Sequence, residues 1–134
     1  MITKRFVTDL SYKIIGAAIK VHKELGPGLL EKVYEKLLTY ELRKSGHKVE
    51  NQLRVPVFYD NKVINTDLRL DLLVDDLVVV ELKTVEHLLP VHQAQLLTYM
   101  KLLDKPQGLL INFYSVNISK SYIPLVNEHF KQLP

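Results

Sequence analysis

The sequence predicts an α/β (α+β-like) protein with a central mixed β-sheet flanked by helices, in the order α-α-β-β-β-α-β followed by a short β-α tail. Three observations carry this reading. Apolar residues recur at helical spacing over residues 9–45. The pattern turns to strand-like alternation and continuous apolar runs over 49–83. One further helical stretch, 91–103, separates that region from a second buried run at 108–113.

Thr8 or Asp9 is placed to cap a first helix ending near Leu25, because Ile14, Ile15, Ala18, Ile19 and His22 recur at helical spacing and Gly26-Pro27-Gly28 stops it. A second helix follows over about 29–45. Leu30, Val33, Leu37 and Leu38 supply its apolar positions, Arg43 and Lys44 occupy the last turn, and Gly46 ends it. Residues 53–59 then alternate and carry β-branched and aromatic side chains, Asp60-Asn61 forms a turn, and a strand over 63–74 puts Leu68, Leu70, Leu72 and Val74 on one face. After Asp75-Asp76, the run from Leu77 to Val80 reads as a central strand covered on both faces. Pro90 opens the next helix, Lys105-Pro106 closes it, and an edge strand over 118–123 and a short helix near 126–132 complete the order.

The five glycines and six prolines do not cluster into a linker, no internal repeat is present, and 134 residues suffice for one core, so residues 1–134 read as one domain. Eighteen Lys and Arg against fifteen Asp and Glu leave a net charge of +3, which permits a polyanionic partner without demanding one. Cysteine is absent, which excludes disulfides, thiolate zinc sites and cysteine nucleophiles and leaves any chemistry to carboxylates, histidines, lysines and hydroxyls. The basic start is followed by no apolar signal region, and no apolar run approaches the ~20 residues of a membrane span; a cytoplasmic protein without membrane contact is expected.

Asp71 interrupts one apolar strand, and Glu81 and Lys83 interrupt the end of the next. A buried charge is costly unless it is paired or binds a metal. Glu81 and Lys83 are two residues apart and leave the same face of their strand. A two-residue loop at Asp75-Asp76 would put Asp71 on the opposite face, whereas a three-residue loop puts all three polar side chains together and gathers Leu70, Leu72, Val78, Val80 and Leu82 on the other. The apolar pattern therefore predicts an odd-length turn or a bulge. Two carboxylates converging on a sheet face make an oxygen-rich site suited to Mg²⁺, or Mn²⁺ as its substitute, and a neighbouring lysine suits phosphodiester hydrolysis. On spacing alone, a structural ion pair at a strand end accounts for these residues equally well.

Asp71 followed by Glu81-Leu82-Lys83 after a hairpin turn resembles the PD-(D/E)XK nuclease superfamily. Gly28-Leu29-Leu30-Glu31-Lys32-Val33-Tyr34 resembles the signature of the GxxExxY protein family, a bacterial branch of that superfamily. Glu-Leu-Lys-Thr and then His92-Gln93-Ala94-Gln95-Leu96-Leu97-Thr98-Tyr99 follow in the family's order. The resemblance implies a restriction-endonuclease-like three-layer core and a Mg²⁺-dependent nuclease acting on DNA. It implies that Asp71 and Glu81 are the principal metal ligands, that Glu31 reaches the metal from the first turn of its helix, and that Lys83 is the catalytic lysine. Gln95 and Tyr99 resemble a Gln-x-x-x-Tyr pair carried behind the active strand, and with Tyr34 they are assigned to substrate contact or to support of the site. Tyr34 shares a helical face with Glu31 and Glu35, for which a capping carboxylate and a rim tyrosine are the simpler account on spacing alone. Tyr114 stands where the family has a glycine, and the tail lacks the arginine-bearing strand often found after it. No region for target recognition is visible, so specificity would come from a protein partner or be absent, and a homodimer is compatible with one site cutting one strand. The alternative function is a non-catalytic nuclease-fold module that binds nucleic acid or a protein.

Overall fold

The first helix begins earlier than its apolar pattern suggests. Thr3 caps it, its Oγ1 accepting the N–H of Phe6 at 3.0 Å, so that α1 spans Lys4–Leu25 in the computed structural model, which describes all 134 residues. Gly26 closes it with φ of +70° and an N–H donated to the His22 carbonyl at 2.7 Å. The next helix, α2, spans Glu31–Lys44. Its buried stripe is Tyr34, Leu38 and Leu42, while Leu30 and Val33 are exposed and Leu37 is half-buried. The expected apolar face is therefore corrected by roughly a third of a turn. The tyrosine is the cause: its ring stacks on Phe113 at 4.4 Å and 17°, and burying that surface outweighs covering Leu30 at the N-cap and Val33 in the first turn.

The strands are β1 (Val49–Arg54), β2 (Val57–Tyr59), β3 (Lys62–Ile64), β4 (Arg69–Val74) and β5 (Val78–Lys83). After α3 (Pro90–Leu102) come β6 (Gln107–Asn112), a single 3₁₀ turn, β7 (Tyr122–Val126) and α4 (Glu128–Lys131). Where the sequence suggested two long strands, Pro56 ends β1 by withholding a donor, and residues 65–68 interrupt the second. What lies between is a separate two-stranded ribbon, β2–β3, turned by Asp60 and Asn61, both left-handed at φ of 54° and 60°.

The main sheet has the order β1-β4-β5-β6-β7 and is antiparallel except where β5 pairs parallel with β6 across α3. It is the mixed sheet that the pattern predicted. On one face, α1 and α2 cover Val49, Leu72, Val74, Val78, Val80, Leu82, Leu109 and Ile111. On the other, Leu96, Tyr99 and Met100 of α3 cover Leu70, Leu73, Val79 and Leu110. α3 lies so close to β6 that a Cβ on Gly108 would meet the Met100 sulfur at 2.6 Å. Leu70 departs from expectation, because it faces α3 whereas Leu72 faces α1 and α2; the alternation of β4 breaks at Asp71. Leu68 is exposed rather than aligned with them. No helix is long and apolar enough to cross a membrane.

Tyr34 does more than fill space. Its hydroxyl donates to the Gly26 carbonyl at 2.6 Å and accepts the Leu29 N–H at 3.2 Å, tying together the turn between α1 and α2. Tyr34→Phe keeps the stacking and removes both bonds. It is expected to destabilise the protein by about 1–2 kcal/mol in urea denaturation, and an unchanged midpoint would show that the turn does not depend on the hydroxyl.

Candidate active site

The β4–β5 turn decides where the polar residues go. Val74 pairs with Val78 across the three-residue loop Asp75-Asp76-Leu77, with Asp75 and Asp76 left-handed at φ of 51° and 58°. Both aspartates are anchored: Asp75 accepts from the Lys48 N–H at 2.9 Å and contacts His47 Nδ1 at 2.7 Å, and Asp76 pairs with Lys105 at 2.9 Å. The loop is odd in length, as the apolar pattern required. The same register, continued, sets Asp71 opposite Glu81.

At that point side chains replace the backbone ladder. Its last antiparallel pair is Leu72 with Val80. Beyond it the Asp71 N–H donates to Glu81 Oε1 at 3.0 Å, and the Leu82 N–H donates to Asp71 Oδ2 at 2.8 Å. Each carboxylate thus satisfies a backbone donor on the opposite strand where β4 and β5 part. Asp71 is only 9% exposed and Glu81 6%.

Two acids packed together away from water resist ionising together. Burial, reinforced by the Asp71 charge, pushes the Glu81 carboxyl from an ordinary 4.5 up to about 8, against the opposing effects of the Asp71 N–H and the Lys83 charge. Burial also raises Asp71, opposed by the Leu82 N–H, the Gln52 amide and Lys83. Lys83 acts on both carboxylates through its charge and not through a hydrogen bond. Its backbone is fixed from β6: the Phe113 N–H donates to the Lys83 carbonyl at 2.8 Å. Asn112 also grips the chain just beyond, accepting from Val85 N and donating to Val85 O at 3.2 and 2.7 Å. Sequence reasoning missed Asn112, although a polar residue at the end of a buried apolar strand is the same signal that singled out Asp71.

The remaining residues divide. Glu31, half-buried at the start of α2, is raised by burial and by the Asp71 charge and lowered by Lys83, so it belongs to the same electrostatic neighbourhood. Tyr99 reaches it from α3, its hydroxyl raised by burial and by the charges of Glu81 and Asp71. Gln95, one turn earlier, is exposed. Tyr34 makes no bond to the carboxylates; it is wholly buried against Phe113, which leaves it no surface for substrate, and its hydroxyl holds the turn that leads into Glu31. His92 is a capping residue, its Nδ1 accepting the Leu89 N–H at 3.0 Å. One residue that the sequence did not single out, Gln52, also connects to the site and links it to Glu35. Gln52 donates to Glu35 Oε1 at 2.7 Å and to Asp71 Oδ1 at 3.3 Å.

No three carboxylates or histidines converge closely enough to enclose a metal ion unaided. Asp71 and Glu81 nevertheless fit a hard divalent cation. They are two adjacent buried acids whose mutual repulsion a positive ion relieves, and Mg²⁺ is commonly held by one or two carboxylates with water and phosphate completing its shell.

The layered α/β core, with an acidic pair and a lysine at the parting of two central strands, defines a nuclease-like domain. The family model of the PD-(D/E)XK nuclease superfamily matches residues 8–124, and the chain belongs to that superfamily. Comparison with curated proteins and with solved structures finds no significant match.

The buried pair has a measurable consequence without cations. A carboxyl whose pKa is raised by folding holds a proton that the unfolded chain has already released, so its contribution to stability is fully present below about 4.5 and is lost as pH rises through about 8. With divalent ions chelated, the melting temperature is expected to fall between pH 5 and pH 8, and Glu81→Gln, which keeps the acceptor without the charge, is expected to flatten that slope. An equally steep slope in the variant would remove Glu81 as its source.

Proposed function

We propose that the protein is a single nuclease domain over residues 1–134 that hydrolyses phosphodiester bonds in DNA with Mg²⁺, or Mn²⁺ in its place, as cofactor. The observation that carries this is the buried Asp71–Glu81 pair with the Lys83 charge acting on both. Asp71 and Glu81 would hold the cation, with Glu31 nearby to receive a ligand water or join the shell. When bound, the ion supplies Lewis acidity at the phosphate and lowers the pKa of a coordinated water. Lys83 orients the attacking water and stabilises negative charge at the phosphate. The water oxygen bonds to phosphorus as the ester oxygen leaves, giving a phosphate monoester and a hydroxyl. Tyr99 and Gln95, on the α3 side, are assigned to supporting Lys83 or meeting the substrate.

A basic groove along α2, connected to Asp71 through Glu35 and Gln52, supports nucleic acid as the substrate. A cavity of about 690 Å³ along α2 is lined by Glu35, Lys36, Tyr40, Arg43, Lys44 and Asn51 among others. Arg43 is held ready by bonds to the Val49 carbonyl at 2.7 Å and to Asn51, and Lys44 stands 5.5 Å from the exposed Tyr40 ring. Such cations suit phosphates and the ring suits a base. We read Gly28, Glu31 and Tyr34 as the mark of the GxxExxY branch, and the chain as a cytoplasmic protein that takes any sequence specificity from a protein partner or a second copy. The engagement of one oxygen of each acid by a backbone N–H favours the binding module as the second reading.

Purified protein is expected to cut DNA only with Mg²⁺ or Mn²⁺, and Asp71→Asn or Lys83→Ala should lower the rate at least about 100-fold. Cutting that survives both changes overturns the assignment, and salt-dependent binding without cutting supports the module. The double change Lys36→Ala and Lys44→Ala should weaken DNA binding and reduce the slope of log affinity against log salt by about 1.5–2. An unchanged slope would remove the groove from the path of the substrate.

A further inference from the structure

Gln52 is a glutamine with φ of +50° in the middle of a strand. Its neighbours Asn51 and Leu53 pair with Leu72 and Leu70 in unbroken register, but the pair that would join Gln52 to Asp71 is missing from the ladder. A left-handed conformation is unfavourable for a residue with a Cβ, and it persists where the surroundings determine it from several sides. Here they do. The Gln52 amide carries two hydrogens and both are used, one on Glu35 Oε1 at 2.7 Å and one on Asp71 Oδ1 at 3.3 Å. Its carbonyl accepts from Arg69 at 3.4 Å. Asn51 steadies the far end of the arm, donating to Thr39 Oγ1 at 2.8 Å and to Glu35 Oε2 at 3.4 Å.

We propose that Gln52 is a positioning residue, whose amide is clamped between Glu35 and Asp71 and locks the Asp71 carboxylate in the orientation that meets the cation. This rests on the reading of Asp71 as a ligand. With the Leu82 N–H on Oδ2 and the Gln52 amide on Oδ1, the carboxylate is held at both oxygens and cannot rotate about its last bond. Without the amide, Oδ1 loses its anchor and two acids face each other unbridged. Glu35, not Glu31, is then the α2 carboxylate wired to the site by hydrogen bonds. Groups that orient metal ligands in this way typically change affinity 10–100-fold when removed.

Gln52→Gly separates positioning from folding, because glycine accepts the left-handed backbone without strain while deleting the amide. Mn²⁺ affinity, measured by titration calorimetry, is expected to fall about 10-fold or more while the melting temperature without cations does not fall. Glu35→Ala, at a half-buried position of α2, should weaken Mn²⁺ binding in the same direction, and Glu35→Gln, which keeps an acceptor for the amide, should restore it. Unchanged affinity in Gln52→Gly, or a loss matched by a lower melting temperature together with unchanged affinity in Glu35→Ala, overturns the proposal. Asp71→Asn distinguishes the two layers. If it binds Mn²⁺ as tightly as the unaltered protein, or the unaltered protein binds none, the cation reading falls and takes the proposal with it; if Asp71→Asn loses binding and Gln52→Gly does not, Gln52 alone is removed.

Discussion

Where β4 and β5 part, two backbone N–H groups would be left facing an apolar interior, and the structure answers with an exchange: Asp71 takes the donor of Leu82 and Glu81 takes the donor of Asp71. An unpaired donor at such depth costs about 1–3 kcal/mol, so the carboxylates are structural members of the sheet as well as acids that burial holds above their ordinary range. Everything around them follows from holding acids in that place. The turn is pinned by His47 and Lys105, the chain leaving β5 is held by Asn112, and α2 and α3 pack on opposite faces of the sheet.

The exchange also explains why the acids are electrostatically uneasy. Both are needed to finish the ladder, yet neither has a full counter-charge, because Lys83 lies near enough to be felt but forms no hydrogen bond with them. A fold that tolerates this stores a preference for positive charge at one point. That preference is local and does not follow from the modest overall charge of +3.

Much of this was legible in the residues. The mixed sheet came from the change of period at Val49, and the loop of three came from requiring Leu70, Leu72, Val78, Val80 and Leu82 to share a face, which all but Leu70 do. The exceptions have physical causes. Leu70 crosses to the α3 side because side chains, not backbone groups, complete the hydrogen bonding at Asp71, and a period of two carries no trace of that. Tyr34 was read from its spacing beside Glu31 and Glu35 as a rim residue, whereas its ring finds Phe113 and its hydroxyl finds a turn. Gln52 gave no signal at all, since nothing in a glutamine announces a left-handed backbone.

β1 and β7 are the outer strands of the sheet, and each could in principle accept a strand from another molecule. The left-handed turn of the backbone at Gln52 breaks the row of donors and acceptors on one border, and Pro124 leaves a missing donor on the other. The kink that steadies an acidic side chain therefore also guards the molecule against edge-to-edge aggregation, a benefit that would be lost if β1 were straightened.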